Sequence, residues 1–131
     1  MTKTLTLVIY MAIATWLLIL VASLIRAKAW TPAGLKIAFG NRDNLTEPTA
    51  FAGRAERTAR NTLENFVLFA AIALVAHAAD SGSQRVALGA EIFFWARLVY
   101  IPIYYIGLTY LRAAVWLIGI AGLATMILAV L

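Results

Sequence analysis

The stretch RAERTARNTLENFVLFAAIALVAHAA, residues Arg54–Ala79, decides the fold class. From Phe66 onward it is apolar enough to lie in lipid, while its first half carries Arg54, Arg57, Arg60, Asn61 and Glu64. At about 100° per residue, those five side chains fall within roughly 120° of one another on an α-helix. A helix that begins with one polar stripe and then turns apolar does more than span. Charged groups at membrane depth are costly and face a bundle interior or a cavity, so the stripe reads first as a functional site. A plainer reading makes the arginines a surface anchor; it suits Arg54 better than Asn61 and Glu64, which lie one to two turns deeper.

Composition agrees with a membrane protein. Of 131 residues, 63% are hydrophobic and 13% charged, which is too apolar for a soluble domain of one unit. There is no cysteine, hence no disulfide and no thiolate ligand or nucleophile from the chain, and one histidine, His77, makes no multi-histidine metal site. The net charge of +5 comes from basic residues gathered between apolar runs. Membrane topology accounts for that pattern, and no nucleic-acid partner is expected.

Working outward, Leu5–Ile25 is uncharged and long enough to cross a hydrocarbon core. Its flank, Arg26-Ala27-Lys28, lacks a small-residue cleavage site, so the run reads as a retained span and not as a signal peptide. A polar connection follows, with Asn41-Arg42-Asp43-Asn44 as a turn and Leu35–Phe39 as a short amphipathic piece. The second span covers about 55–79, the third 86–106 and the fourth 113–131. In the third, Arg97, Tyr100 and Tyr104 share a face at i, i+3, i+7. Tyr100 and Tyr104 suit a site lining and an interfacial aromatic belt about equally. Gly119 and Gly122 give the fourth span a small-residue surface for close helix contacts, here assigned to subunit packing. Continuous hydropathy leaves no place for a barrel. The fold class is an all-α, integral membrane four-helix bundle.

Lysine and arginine bias sets the orientation. The first connection and Arg112 are basic, whereas the opposite side holds only Lys3 and Arg85. The long loop is thus cytoplasmic and both termini are outside. This puts the polar start of the second span, the end of the third and Arg112 at one depth. Glu64 and Arg97 are the charges least able to reach water, and an ion pair between them would relieve both burial costs. The remaining cationic and hydrogen-bonding groups suit an anionic ligand with carboxylates, for which arginine is the preferred partner. No nucleophile or acid–base pair stands out, so the reactive group is expected from the ligand. A thiol fits, because a nearby arginine populates its thiolate.

The run Arg57-Thr58-Ala59-Arg60-Asn61-Thr62-Leu63-Glu64-Asn65-Phe66, preceded by Arg54, resembles the helix-two signature of the MAPEG family, membrane-associated proteins of eicosanoid and glutathione metabolism. Gly40-Asn41-Arg42-Asp43, the four-span layout, and the positions of Arg97, Tyr100, Tyr104 and Arg112 extend the resemblance over nearly the whole chain. It implies a homotrimer, with glutathione as co-substrate bound between adjacent subunits at the cytoplasmic side. Arg60, Asn61, Glu64 and Tyr104 would contact glutathione, Arg112 would stabilise its thiolate, and Arg97 would pair with Glu64. Arg26 is the candidate for an arginine that joins this site from the end of the first span. A lipophilic substrate would enter from the bilayer, whose lipids are the other expected partner. The expected binding set is Arg26, Arg57, Arg60, Asn61, Glu64, Tyr100 and Tyr104, with Arg112 catalytic.

The chain departs from the characterised eukaryotic enzymes after Arg112. Ala113, Ala114 and Trp116 stand where several of those place hydroxyl-bearing residues. Its proportions resemble the bacterial branch, which implies a bacterial inner membrane. Two functions remain open: a glutathione-dependent transferase or peroxidase acting on a lipophilic electrophile, and a non-catalytic lipid-binding or scaffold protein of the same fold. A small drug exporter fits less well, since the first span lacks a carboxylate.

Overall fold

A computed structural model describes residues 1–131 and contains five helices and no strands. Helix α1, Lys3–Ala27, starts at Thr2, whose hydroxyl accepts from Leu5 N at 3.2 Å, and stops at Lys28 in the left-handed region. Helix α2, Pro32–Phe39, is capped by Thr31 and extends the expected amphipathic piece by one turn toward its start. Gly34 is required there: a Cβ would fall 1.8 Å from the Lys28 carbonyl oxygen.

Helix α3 is Ala50–Ala78. It begins between Pro48 and Gly53, five residues before the span expected from about 55, because Thr49 supplies the cap, accepting from Ala52 N at 3.1 Å. Its 29 residues span about 44 Å at 1.5 Å each, against a hydrocarbon thickness of roughly 30 Å. The helix is therefore about nine residues longer than the apolar layer needs. Helix α4, Gln84–Ile106, starts from a Ser83 cap and ends at Gly107, whose φ of 92° closes the helix with bonds to Ile103 and Tyr104 carbonyls. Pro102 lies inside α4 without ending it. Helix α5, Thr109–Val130, follows after two residues. Arg112 is therefore one turn inside α5, where the sequence suggested that it opens the helix.

Four of the helices, α1, α3, α4 and α5, are long and apolar enough to cross a membrane. Helices α4 and α5 make the closest pair, α1 packs on α3, and the α3–α4 contact joins the pairs. The core at that junction is built on Met11, Phe69, Phe93 and Met126, with Phe69 and Phe93 stacked at 4.5 Å between centroids. Large apolar side chains such as Trp16, Leu74, Trp95 and Leu128 point outward, as a lipid-facing surface requires.

The small-residue surface of α5 packs inside the chain, against α4. A Cβ on Gly122 would meet the Gly89 carbonyl oxygen and Phe93 N, both at 2.7 Å, and one on Gly89 would meet Gly122 O at 2.6 Å. The two backbones approach at a Gly89–Gly122 crossing, the packing by which helices associate where lipid supplies no hydrophobic drive. At Gly119 an added Cβ would find Ala96 Cβ at 3.7 Å, ordinary contact. Gly122→Ala should accordingly destabilise the bundle by about 1–3 kcal/mol, because backbone has to move, while Gly119→Ala stays near wild type. Thermal unfolding in detergent measures both. Equal melting temperatures for the two variants would contradict this crossing.

Candidate functional site

The polar stripe of α3 forms one wall of a pocket. Arg57, Arg60, Asn61 and Glu64 face Tyr100 and Tyr104 of α4 and Arg112, Ala113 and Trp116 of α5 across about 410 Å³. That volume lies within the range of about 300–1,000 Å³ for small-ligand sites. Seven of the eight residues expected at the site are thus brought together. The exception is Arg26. Its Nε is 3.2 Å from Glu56 and its Nη2 donates to the Thr46 carbonyl at 2.5 Å. It lines a separate cavity between α1 and α3, with Arg60 as the residue common to both. Arg26 therefore ties the long connection to α3 and, within the chain, does not reach the pocket.

The Glu64–Arg97 ion pair is not formed. Arg97 is 1% exposed. Its Nη1 donates to Asn61 Oδ1 at 2.9 Å and its Nη2 to Thr62 Oγ1 at 2.7 Å. Its guanidinium carbon stands 4.1 Å from the Tyr100 ring centroid. The physical reason is the helix face. Thr62 lies on the buried side of α3, whereas Glu64 lies on its exposed side, toward the pocket. Arg97 Nε has no partner. Two charge-assisted bonds and a desolvated cation–π contact offset part of the burial cost, which for an arginine comes to several kcal/mol.

These bonds set what the pocket offers. Asn65 Nδ2 donates to the Asn61 carbonyl at 2.8 Å and to its Oδ1 at 3.3 Å. The Asn61 side-chain oxygen is therefore taken by Arg97 and Asn65, and its amide N–H groups are left for a ligand. Across the pocket, Arg57 Nε donates to Tyr104 Oη at 3.2 Å. Arg112 lies over the Tyr104 ring at 4.5 Å, and that ring meets Tyr100 edge-on at 5.6 Å. Arg112 makes no ion pair, although it sits near the positive end of α5. The surface is thus three guanidiniums and an amide donor around a single carboxylate, Glu64. No cluster of three carboxylate, imidazole or thiol side chains comes together that would hold a metal. Such a surface has the donors to hold acidic groups and one acceptor for a cationic one.

Sequence reading missed Thr62 and Asn65. Their signal was present: both lie on the face of α3 opposite the lipid, and polar residues there need partners inside the bundle. Thr62→Val should lower thermal stability by about 1–3 kcal/mol by stranding a guanidinium N–H. Glu64→Gln should leave the ligand-free melting temperature unchanged. A drop with Glu64→Gln and none with Thr62→Val would restore the ion pair that the geometry removes.

The sequence matches the model of the MAPEG family over residues 4–131. No curated protein and no solved structure gives a match. With a match over nearly the entire length and four apolar helices to carry it, the chain belongs to the MAPEG family of membrane helical bundles.

Proposed function

We propose that the pocket binds glutathione and uses its thiolate against a lipophilic electrophile, as a membrane transferase or peroxidase. The observation that carries this reading is the surplus of cationic donors in one pocket with one carboxylate among them. Glutathione has two carboxylates, an ammonium and a thiol. The carboxylates match Arg57 and Arg60 with the Asn61 amide, and the ammonium matches Glu64. The thiol then falls to Arg112. A guanidinium beside the sulfur favours the thiolate over the thiol. The thiol proton leaves to solvent and the sulfur bonds to the electrophilic atom of the second substrate. In transfer the leaving group departs with its electron pair and is protonated by solvent. With a hydroperoxide the O–O bond breaks, an alcohol leaves, and a second glutathione reduces the sulfenate to disulfide and water. Trp116 and Ala113 give that substrate an apolar wall reached from the bilayer.

The same reading includes a homotrimer with the long connection on the cytoplasmic side. Its support is the exposed position of Arg57, Arg60 and Glu64 on the outer wall of a spanning helix. Charges placed there call for a ligand and a neighbouring chain to shield them from lipid. A neighbour's Arg26 then has a route to the site that its own protomer does not provide. A second reading, a binding protein without turnover, is favoured by one feature: Ala113 puts no hydroxyl or acid beside Arg112.

The thiolate separates the two. A cationic neighbour lowers a thiol from about 8.5 by roughly one to three units. The ultraviolet thiolate band of the glutathione complex should therefore be present at neutral pH. Arg112→Lys keeps the charge but loses the planar fork, and its band should appear only at higher pH. Wild type without the band, or identical titrations of the two forms, would leave binding without activation. In the same preparation Glu64→Gln should weaken glutathione by about tenfold, since a charge-assisted contact to the ammonium is lost. Equal affinity would remove Glu64 from the site.

A further inference from the structure

Beside the main pocket, toward the membrane surface, lies a smaller cavity of about 170 Å³ between the end of α4 and the start of α5. Arg54, Arg57, Tyr104, Thr109 and Arg112 line it, closed by the Gly107–Leu108 turn, and none of its lining residues is acidic. Three guanidiniums therefore converge on a space with no counter-charge. Their protein contacts leave most donors free. Arg54 uses Nε on the Tyr105 carbonyl at 2.9 Å, and Arg57 uses Nε on Tyr104 Oη at 3.2 Å. The terminal nitrogens of both, and every guanidinium nitrogen of Arg112, make no hydrogen bond or ion pair within the chain.

We propose that this cavity binds a phosphate-type oxyanion, either inorganic phosphate or the phosphate of a lipid headgroup. Guanidinium forks match tetrahedral oxyanions, and three of them without an acid are mutually repulsive until an anion is present. Size points the same way. At about 30 Å³ per liquid water the cavity equals a handful of waters, which is room for one tetrahedral anion and not for a tripeptide. The backbone adds a smaller contribution. No side chain caps α5, and its first bond runs from Arg112 N to Leu108 O at 3.1 Å, so the N–H groups ahead of it have no helical acceptor. The opposing carbonyl end of α4 is quenched by Arg54 on Tyr105 O and by the Gly107 and Leu108 N–H groups on Ile103 O. This site does not depend on the thiol reading of the main pocket, although Arg57, Tyr104 and Arg112 line both cavities.

The test uses full-length protein in a phosphate-free maltoside detergent, without glutathione, with ionic strength held by chloride. Inorganic phosphate is titrated and its phosphorus NMR line followed; a short-chain phosphatidic acid is titrated in parallel. Wild type should broaden the phosphate line saturably. Arg54→Gln retains a donor for Tyr105 O but loses the charge, and should bind about tenfold more weakly. Thr109→Asp places a carboxylate in the first turn of α5, among the arginines. It should abolish binding while keeping or raising the melting temperature, since an acid there suits the helix. If Arg54→Gln does not fold, Thr109→Asp decides. Binding of both probes assigns the site to free oxyanions, and binding of the lipid alone assigns it to headgroups. Binding of neither, or equal binding by wild type and Thr109→Asp, overturns the proposal. Because glutathione is absent throughout, failure here leaves the thiol reading standing, and the reverse also holds.

Discussion

Arg97 is a guanidinium buried inside a membrane bundle, bonded to Asn61 and Thr62 of α3 and stacked on Tyr100 of its own helix. Sliding α3 against α4 by one turn would strip both bonds and leave a charge unpartnered in a low-dielectric interior, at a cost of several kcal/mol. The two helices are thereby held at one relative depth. The pocket inherits its order from this contact. Asn61 lines the pocket with its amide N–H groups unused, Tyr100 is held against the guanidinium, and Tyr104, edge-on to Tyr100, meets Arg57 and Arg112. Asn65 braces Asn61 from behind.

A wall of unpaired cations near the start of α5 works against folding. Arg112 sits at the wrong end of a helix dipole, and Arg54 and Arg57 are close to the same end. Helices α4 and α5 offset this elsewhere, through the Gly89–Gly122 crossing and the stacked phenylalanines that tie α3 to α4. The site is therefore an electrostatic liability held by packing that does not involve it. Such an arrangement accords with the anion binding proposed for this pocket.

Much of this was legible because helical period and lipid leave few choices. The apolar runs marked four spans, and the spacing of Arg57, Arg60, Asn61 and Glu64 placed them on one wall. Tyr100 and Tyr104 divided from the belt tyrosines as their shared face suggested. What stayed hidden depended on which helix lies opposite which. Arg97 shares a face with those tyrosines by period, yet it turns to the buried hydroxyl of Thr62, which carries no charge to announce it. Gly122 read as a subunit contact because its partner, Gly89, is a lone glycine in an otherwise ordinary helix. Arg26 went to Glu56 because α1 packs on α3 on the side away from the pocket. Hydropathy marks only the apolar span of α3; the polar turn ahead of it is helical because Thr49 caps it.

The most direct test of the central claim, that the arginine-rich pocket takes glutathione as its thiolate, is the number of protons released on binding. Titration calorimetry of detergent-purified protein at neutral pH, repeated in buffers of differing ionisation enthalpy, measures it without any spectroscopic assignment. A thiol near 8.5 is almost wholly protonated at that pH when free. With the thiol lowered by roughly one to three units, release of about 0.2 to nearly one proton per glutathione bound is the predicted result. Binding with no proton released, or no binding at all, would contradict the account.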